Sequence, residues 1–397
     1  MTQLAKRITE LSESATLAMT QKSRELKAKG IDIINLSIGE PDFNTPDFIK
    51  EAAKTAVDNN YSHYTPVPGL QSLREAICTK LKRDNNLSYT PDEIVVSTGA
   101  KQSLMNVVMA LVNPGDELLL PTPYWVSYYA MGEMAQASIK AIPTDIHSDF
   151  KLTKEQLTAA VTDKSKLLIF SSPCNPSGSV YSKDELRDLA EVIQNNPQLM
   201  VISDEIYELI NYSSQHESLA QFDEIKDQVI TVNGVSKGFA MTGWRIGYIA
   251  APKWLAQGAT KMQGQFTSGA NAVAQKAAET ALLENPAEVN YMLDAFKTRR
   301  AFTVEAMQAI DGVHCNMPEG AFYVFPDVSS FFGKSYKAWT INNATDLAEF
   351  LLMEAHVALV TGEAFGNPDC IRISYAADMD TLKFSVDRIK EALNKLS

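Results

Sequence analysis

The sequence predicts an α/β protein: a large domain on a seven-stranded, mostly parallel sheet with one antiparallel strand and flanking helices, then a smaller α+β domain. Three observations carry that expectation. From about residue 90 to 251, seven short β-branched runs alternate with longer helical stretches, the pattern of strands joined by crossover helices. The last two runs stand too close together for a parallel connection. After about residue 290 the alternation stops and long amphipathic stretches take over.

In chain order the strand candidates are EIVVS (93–97), DELLLP (116–121), ASIKAIP (137–143), KLLIFSS (166–172), LMVISDE (199–205), QVITVNGV (228–235) and RIGYIAA (245–251). AKQSLMNVVMALVN after the first and SKDELRDLAEVIQNN after the fourth read as crossover helices. Only Ser236 to Trp244 separates the sixth run from the seventh, whereas a parallel crossover takes roughly a dozen residues, so the seventh strand is expected to run antiparallel. Beyond it VNYMLDAFKTRRAFTVEAMQAI reads as a long amphipathic helix, followed by GAFYVFPD, a helix ATDLAEFLLMEAHV, the short strand CIRISYA and a closing helix. A chain of 397 residues exceeds what one core holds, and the expected division is an N-terminal segment (1–45) packing with the small domain, a large domain (46–290) and a small C-terminal domain (291–397).

Composition narrows the function classes. The 45% hydrophobic and 21% charged residues are those of an ordinary globular protein. A formal charge of −12 disfavours nucleic acid or an anionic membrane as partner, because there is no basic excess to neutralise phosphates. No run near the N-terminus is apolar enough for a signal core or a membrane span, so a cytoplasmic location is expected. Cys78, Cys174, Cys315 and Cys370 are scattered without a CxxC pair and read as reduced thiols. GxGxxG, the Walker lysine motif and internal repeats are absent.

In parallel sheets ligands collect outside the carboxyl ends of the strands, so residues just past each run matter most. TGAKQS follows the first run, and its Gly99-Ala100 turn opens a helix whose free amides suit an anion. Alone it is an ordinary βα turn. TPYW presents Trp125 after the second run, and PCNPSG presents Asn175 between two prolines after the fourth. Asp204 and Tyr207 follow the fifth; an aspartate leaving so apolar a strand is either a helix cap or a buried carboxylate in need of a partner. Lys237 follows the sixth, beside Ser236, with Arg245 eight positions on. Each has a plain explanation by itself, but all are expected at one sheet edge.

A lysine forms a Schiff base when desolvation or nearby positive charge keeps its amine neutral, and an arginine fork with free amides holds a phosphate. An aldehyde with a phosphate arm, pyridoxal 5'-phosphate, binds both ends of such a motif. It also asks for a carboxylate at the ring nitrogen (Asp204), donors to the ring oxygen (Asn175, Tyr207) and an aromatic over the ring (Trp125).

GVSKGFAMTGWRIG (234–247) resembles the cofactor-attachment signature of class I, fold-type I pyridoxal-phosphate-dependent aminotransferases. GEPDFNTP, YTPVPGLQSLREAI, PYWVSY, SPCNPSG, SDEIYE, EGAFYVF and IRISYA extend the likeness over essentially the whole chain, which is most similar to bacterial aspartate aminotransferases of the Ib subgroup. The resemblance implies a homodimer with shared active sites acting on amino acids and 2-oxo acids. It implies Lys237 as Schiff base and proton shuttle, and cofactor binding by Gly99, Ala100, Lys101, Trp125, Asn175, Asp204, Tyr207, Ser236 and Arg245, with Tyr64 reaching the neighbouring subunit's phosphate. Arg372, which alone reads as an edge salt bridge, would grip the substrate α-carboxylate beside Gly39, Trp125 and Asn175. No metal is implied.

By the same likeness Lys101, with Ser14 and Thr16 of a lid-like N-terminal segment, would bind the distal carboxylate, giving aspartate and 2-oxoglutarate as substrates and oxaloacetate and glutamate as products. A glutamate/aspartate-prephenate aminotransferase, or another amino-acid aminotransferase of the same family, is the alternative. Two positions depart from the pattern. Ser12 and Glu13 stand where prephenate-using relatives often carry a basic residue, and Gly234 stands where many relatives have a phosphate-binding serine, leaving that task to Ser236 or the backbone. A lyase on the same fold and a non-catalytic ligand sensor are the rival classes.

Overall fold

The computed structural model describes residues 4–9, 11, 13–213 and 215–397. The seven expected strands form β1 (Ile94–Ser97), β2 (Glu117–Pro121), β3 (Ser138–Ile142), β4 (Ser165–Ser171), β5 (Met200–Asp204), β6 (Val229–Gly234) and β7 (Gly247–Ala250). They make one sheet in the order β1-β7-β6-β5-β4-β2-β3. Alternation along each strand sends Val95, Ile169, Ile202 and Ile249 into one core and Val96, Leu168, Val201 and Tyr248 into another, so both faces are buried. Helices cover them; Lys183–Gln194, for example, is started by Ser182, whose side chain accepts from the Glu185 amide.

β7 is antiparallel to both β1 and β6, and every other pairing in the sheet is parallel. The consequence is chemical. Because β7 runs backwards, its amino end lies at the edge where the other strands have their carboxyl ends. Arg245, just before β7, is thereby returned to the side of Lys237, just after β6.

The C-terminal part holds a small antiparallel sheet in the order Val360–Thr361, Ile371–Ser374, Tyr323–Val324, packed with the helices Asn290–Gln308 and Met379–Leu393. Ile34–Asn35 pairs in parallel with Val357–Ala358, tying the N-terminal stretch to this part of the chain. Two elements differ from expectation. ATDLAEFLLMEAHV is not one α-helix: it is α-helical over Ala344–Phe350, widens to a π-turn over Leu351–Ala355, and ends at His356 in the left-handed conformation (φ 57°), which frees Val357 for the strand. Ala15–Ala28 is a helix that the polar pattern of the N-terminus did not announce. Among the described residues no helix is long and apolar enough to cross a membrane.

Candidate active site

A cavity of about 430 Å³ opens at the carboxyl edge of the sheet. Ala100, Lys101, Trp125, Asn175, Asp204, Tyr207, Ser236, Lys237 and Arg245 line it from the sheet side, Gly39, Tyr323 and Arg372 from the opposite wall. Ser14, Thr16, Thr20 and Arg24, on or just before the helix Ala15–Ala28, line it as well. Gly99 sits against the same wall with φ 80°, and a β-carbon there would run into the Arg245 guanidinium. Tyr64 is the exception: it is 98% exposed and lines a separate surface hollow with His63 and Thr65.

Lys237 is held in the loop after β6, and its Nζ donates to the Gly39 carbonyl at 2.5 Å. Burial pushes its pKa down to about 8; Glu40 opposes the shift, while Arg372 and Arg245 add to it. More of the amine is then neutral near pH 7 than in a free lysine.

Asp204 ends β5 and is 3% exposed. Its Oδ2 accepts from the Tyr128 hydroxyl at 2.6 Å and its Oδ1 from the Ile206 amide at 3.2 Å. Burial pushes its pKa up to about 6, against those two donors and the nearby Lys237 charge, and among the described residues it makes no ion pair. Tyr207 exchanges a hydrogen bond with Tyr323 at 2.7 Å, hydroxyl to hydroxyl.

Arg372 lies in the central strand of the small sheet, not at an edge, and is 2% exposed. Its guanidinium donates to Asn175 Oδ1 at 2.9 Å and the Ser37 carbonyl at 2.5 Å, stacks 4.5 Å above the Tyr323 ring, and leaves Nε without a partner. The expected edge salt bridge of an isolated reading is therefore not made: both acceptors are neutral, and among the described residues the buried cation has no anion. Lys101 holds its ammonium 4.8 Å over the Trp125 ring, where desolvation and then Arg245 lower its pKa.

These residues fit pyridoxal phosphate. Asp204 is a buried carboxylate that makes no ion pair among the described residues, and a protonated ring nitrogen would supply one. Arg245 donates to the Thr242 carbonyl and, among the described residues, has no carboxylate; it faces the amino end of the helix Ala100–Leu111, which no side chain caps. Together they form a cradle for a phosphate. Gly234 is required by packing: a β-carbon there would meet the Ile246 carbonyl at 2.8 Å and Gly247 Cα at 2.9 Å, so a serine has no room without a backbone shift. Tyr128, Tyr323 and Glu40, which hydrogen-bonds Thr242, were not singled out from the sequence. Tyr128 had a signal, standing one helical turn beyond Trp125 and hence on its face.

A family model described as aminotransferase class I and II matches residues 31–389. The aspartate aminotransferase of Pinus pinaster is 46% identical over 396 residues, covering 98% of this chain and 80% of that protein. The bifunctional aspartate aminotransferase and glutamate/aspartate-prephenate aminotransferase of Petunia hybrida is 48% identical over 395 residues, covering 98% and 82%. The crystal structure of the aspartate aminotransferase from Rhizobium meliloti covers all of both chains with a TM-score of 0.97 at 40% identity.

Proposed function

The chain belongs to the class I and II aminotransferase family and is a fold-type I, pyridoxal-phosphate-dependent enzyme, and on that premise we propose that it transfers the amino group of L-aspartate to 2-oxoglutarate. The observation that carries the substrate reading is a pair of cations lining one cavity, Arg372 and Lys101, neither with an acidic partner among the described residues. A dicarboxylate satisfies both at once, whereas a neutral side chain leaves one unpaired.

Pyridoxal phosphate, when bound, supplies the carbonyl that condenses with amines and the ring that takes up the electrons released at the substrate Cα. Asp204 would hold the proton on the ring nitrogen, Asn175 and Tyr207 would donate to the ring oxygen, Trp125 would cover the ring, and Gly99, Ala100, Ser236 and Arg245 would hold the phosphate. Arg372, with Gly39, orients the α-carboxylate. Lys237 Nζ then takes the proton from the substrate Cα as general base, the part for which its lowered pKa suits it. Ser14 and Thr16, lining the same cavity, close over the distal group together with Lys101.

A homodimer completes the site in this reading. Tyr64 is almost wholly exposed, and so in large part is Phe266, on a helix whose Gln263 donates to the Val67 carbonyl; two exposed aromatics on this side suit contact with a second copy. The packing of the N-terminal segment (1–45) with the small domain is supported by the pairing of Ile34–Asn35 with Val357–Ala358. Four free cysteines fit the reducing cytoplasm.

Lys101→Ala tests the substrate reading. We expect kcat/KM for aspartate and glutamate to fall by roughly 10- to 100-fold, the range for losing a charged hydrogen-bond partner, with alanine little affected. Equal losses for alanine would remove Lys101 from the distal site. The name of the Petunia relative favours prephenate as a second acceptor. Of the two positions bearing on it, Ser12 lies outside the described residues and Glu13 is exposed. Turnover of arogenate at the rate of aspartate would establish it.

A further inference from the structure

Tyr128 is 1% exposed, on the helix Val126–Met134, and its hydroxyl donates to Asp204 Oδ2 at 2.6 Å, with Ser171 beside it. Its ring meets Trp125 edge to face at 5.5 Å and 87°. One side chain thus touches both the carboxylate expected at the cofactor's ring nitrogen and the indole expected over its face. A phenylalanine would fill the same space between the helix and the sheet but would take the donor away from Asp204. Burial keeps the phenol protonated far above neutral pH, so it is a permanent donor, and a donor favours the ionised carboxylate. With Oδ1 already accepting from Ile206, Asp204 can turn only its remaining lone pairs toward the cavity.

We propose that Tyr128 is the positioning residue that keeps Asp204 ionised and aimed into the cavity, and so retains the protonated cofactor. The proposal rests on the pyridoxal-phosphate reading of the site. The other groups facing Asp204 are Lys237, which favours its charge, Glu205, which opposes it, and Tyr207. None of the three replaces the lost donor.

The test is a double-mutant cycle on the holoenzyme with Tyr128→Phe, Asp204→Asn and both, reading the equilibrium dissociation constant of pyridoxal phosphate between pH 5 and 8. Tyr128→Phe is expected to weaken binding about tenfold, the effect of losing a hydrogen bond to a charged group. It should also move the acid-side fall in affinity about one pH unit upward, because the carboxylate protonates more readily without its donor. In the Asp204→Asn background the same change should do nothing further. The pH midpoint is read on each variant's own plateau, so a modest loss of stability leaves it in place. Equal effects of Tyr128→Phe in both backgrounds, or an unmoved midpoint, would overturn the proposal while leaving the enzyme's class intact. A wild type that takes up no cofactor would overturn both.

Discussion

Replacing Lys237 by alanine is expected to lower amino-group transfer by roughly 10⁴-fold or more, since it removes both the general base and the amine that prepares the cofactor for exchange. The fold should survive. Lys237 is a desolvated cation whose one hydrogen bond is to the Gly39 carbonyl, so its removal takes an unfavourable burial away along with that bond. Single-turnover kinetics beside a thermal melt separate the two effects: the rate collapses and the melting temperature stays within a few degrees. Small primary amines added to the variant should restore part of the rate, because the cavity left behind faces Gly39 and Asp204. A variant retaining even a tenth of wild-type turnover would place the base elsewhere.

Arg372→Lys is the second large effect. A guanidinium offers a planar fork to a carboxylate, and an ammonium does not. We expect kcat/KM for every amino acid, dicarboxylic or neutral, to fall roughly 10²- to 10³-fold, because the α-carboxylate is common to all of them. That breadth distinguishes Arg372 from Lys101, whose loss is confined to acidic substrates. Arg372→Ala should also lower stability by about 1–3 kcal/mol, as Asn175 Oδ1 and the Ser37 carbonyl lose their buried donor. Steady-state kinetics across aspartate, glutamate, alanine and phenylalanine decide the matter; a loss seen with dicarboxylates alone would assign Arg372 to the distal group instead.

Much of this was legible in the chain itself. Seven apolar runs bounded by turn residues became the seven strands, and the shortness of Ser236–Trp244 alone foretold that β7 reverses direction, which in the structure brings Arg245 back to Lys237. What stayed hidden depends on tertiary neighbours. Arg372 read as an edge residue because its flanking strands, Tyr323–Val324 and Val360–Thr361, are two residues each, too short to show a period. The helix Ala15–Ala28 buries only Ser23 and is held by contacts such as Lys22 to Glu349, so no apolar stripe marks it. The link between Tyr128 and Asp204 joins residues 76 positions apart, and only the sheet order, which sets β5 two places from β2, brings them together.

The most direct measurement is the half-reaction of the purified holoenzyme, following the visible absorption of the cofactor as aspartate, glutamate, alanine or phenylalanine is added singly. Conversion to the pyridoxamine form by aspartate and glutamate at rates at least about tenfold above the neutral amino acids is the expected result, given that Arg372 and Lys101 line one cavity without acidic partners among the described residues. Equal rates for alanine, or no spectral change with any of the four, would contradict it.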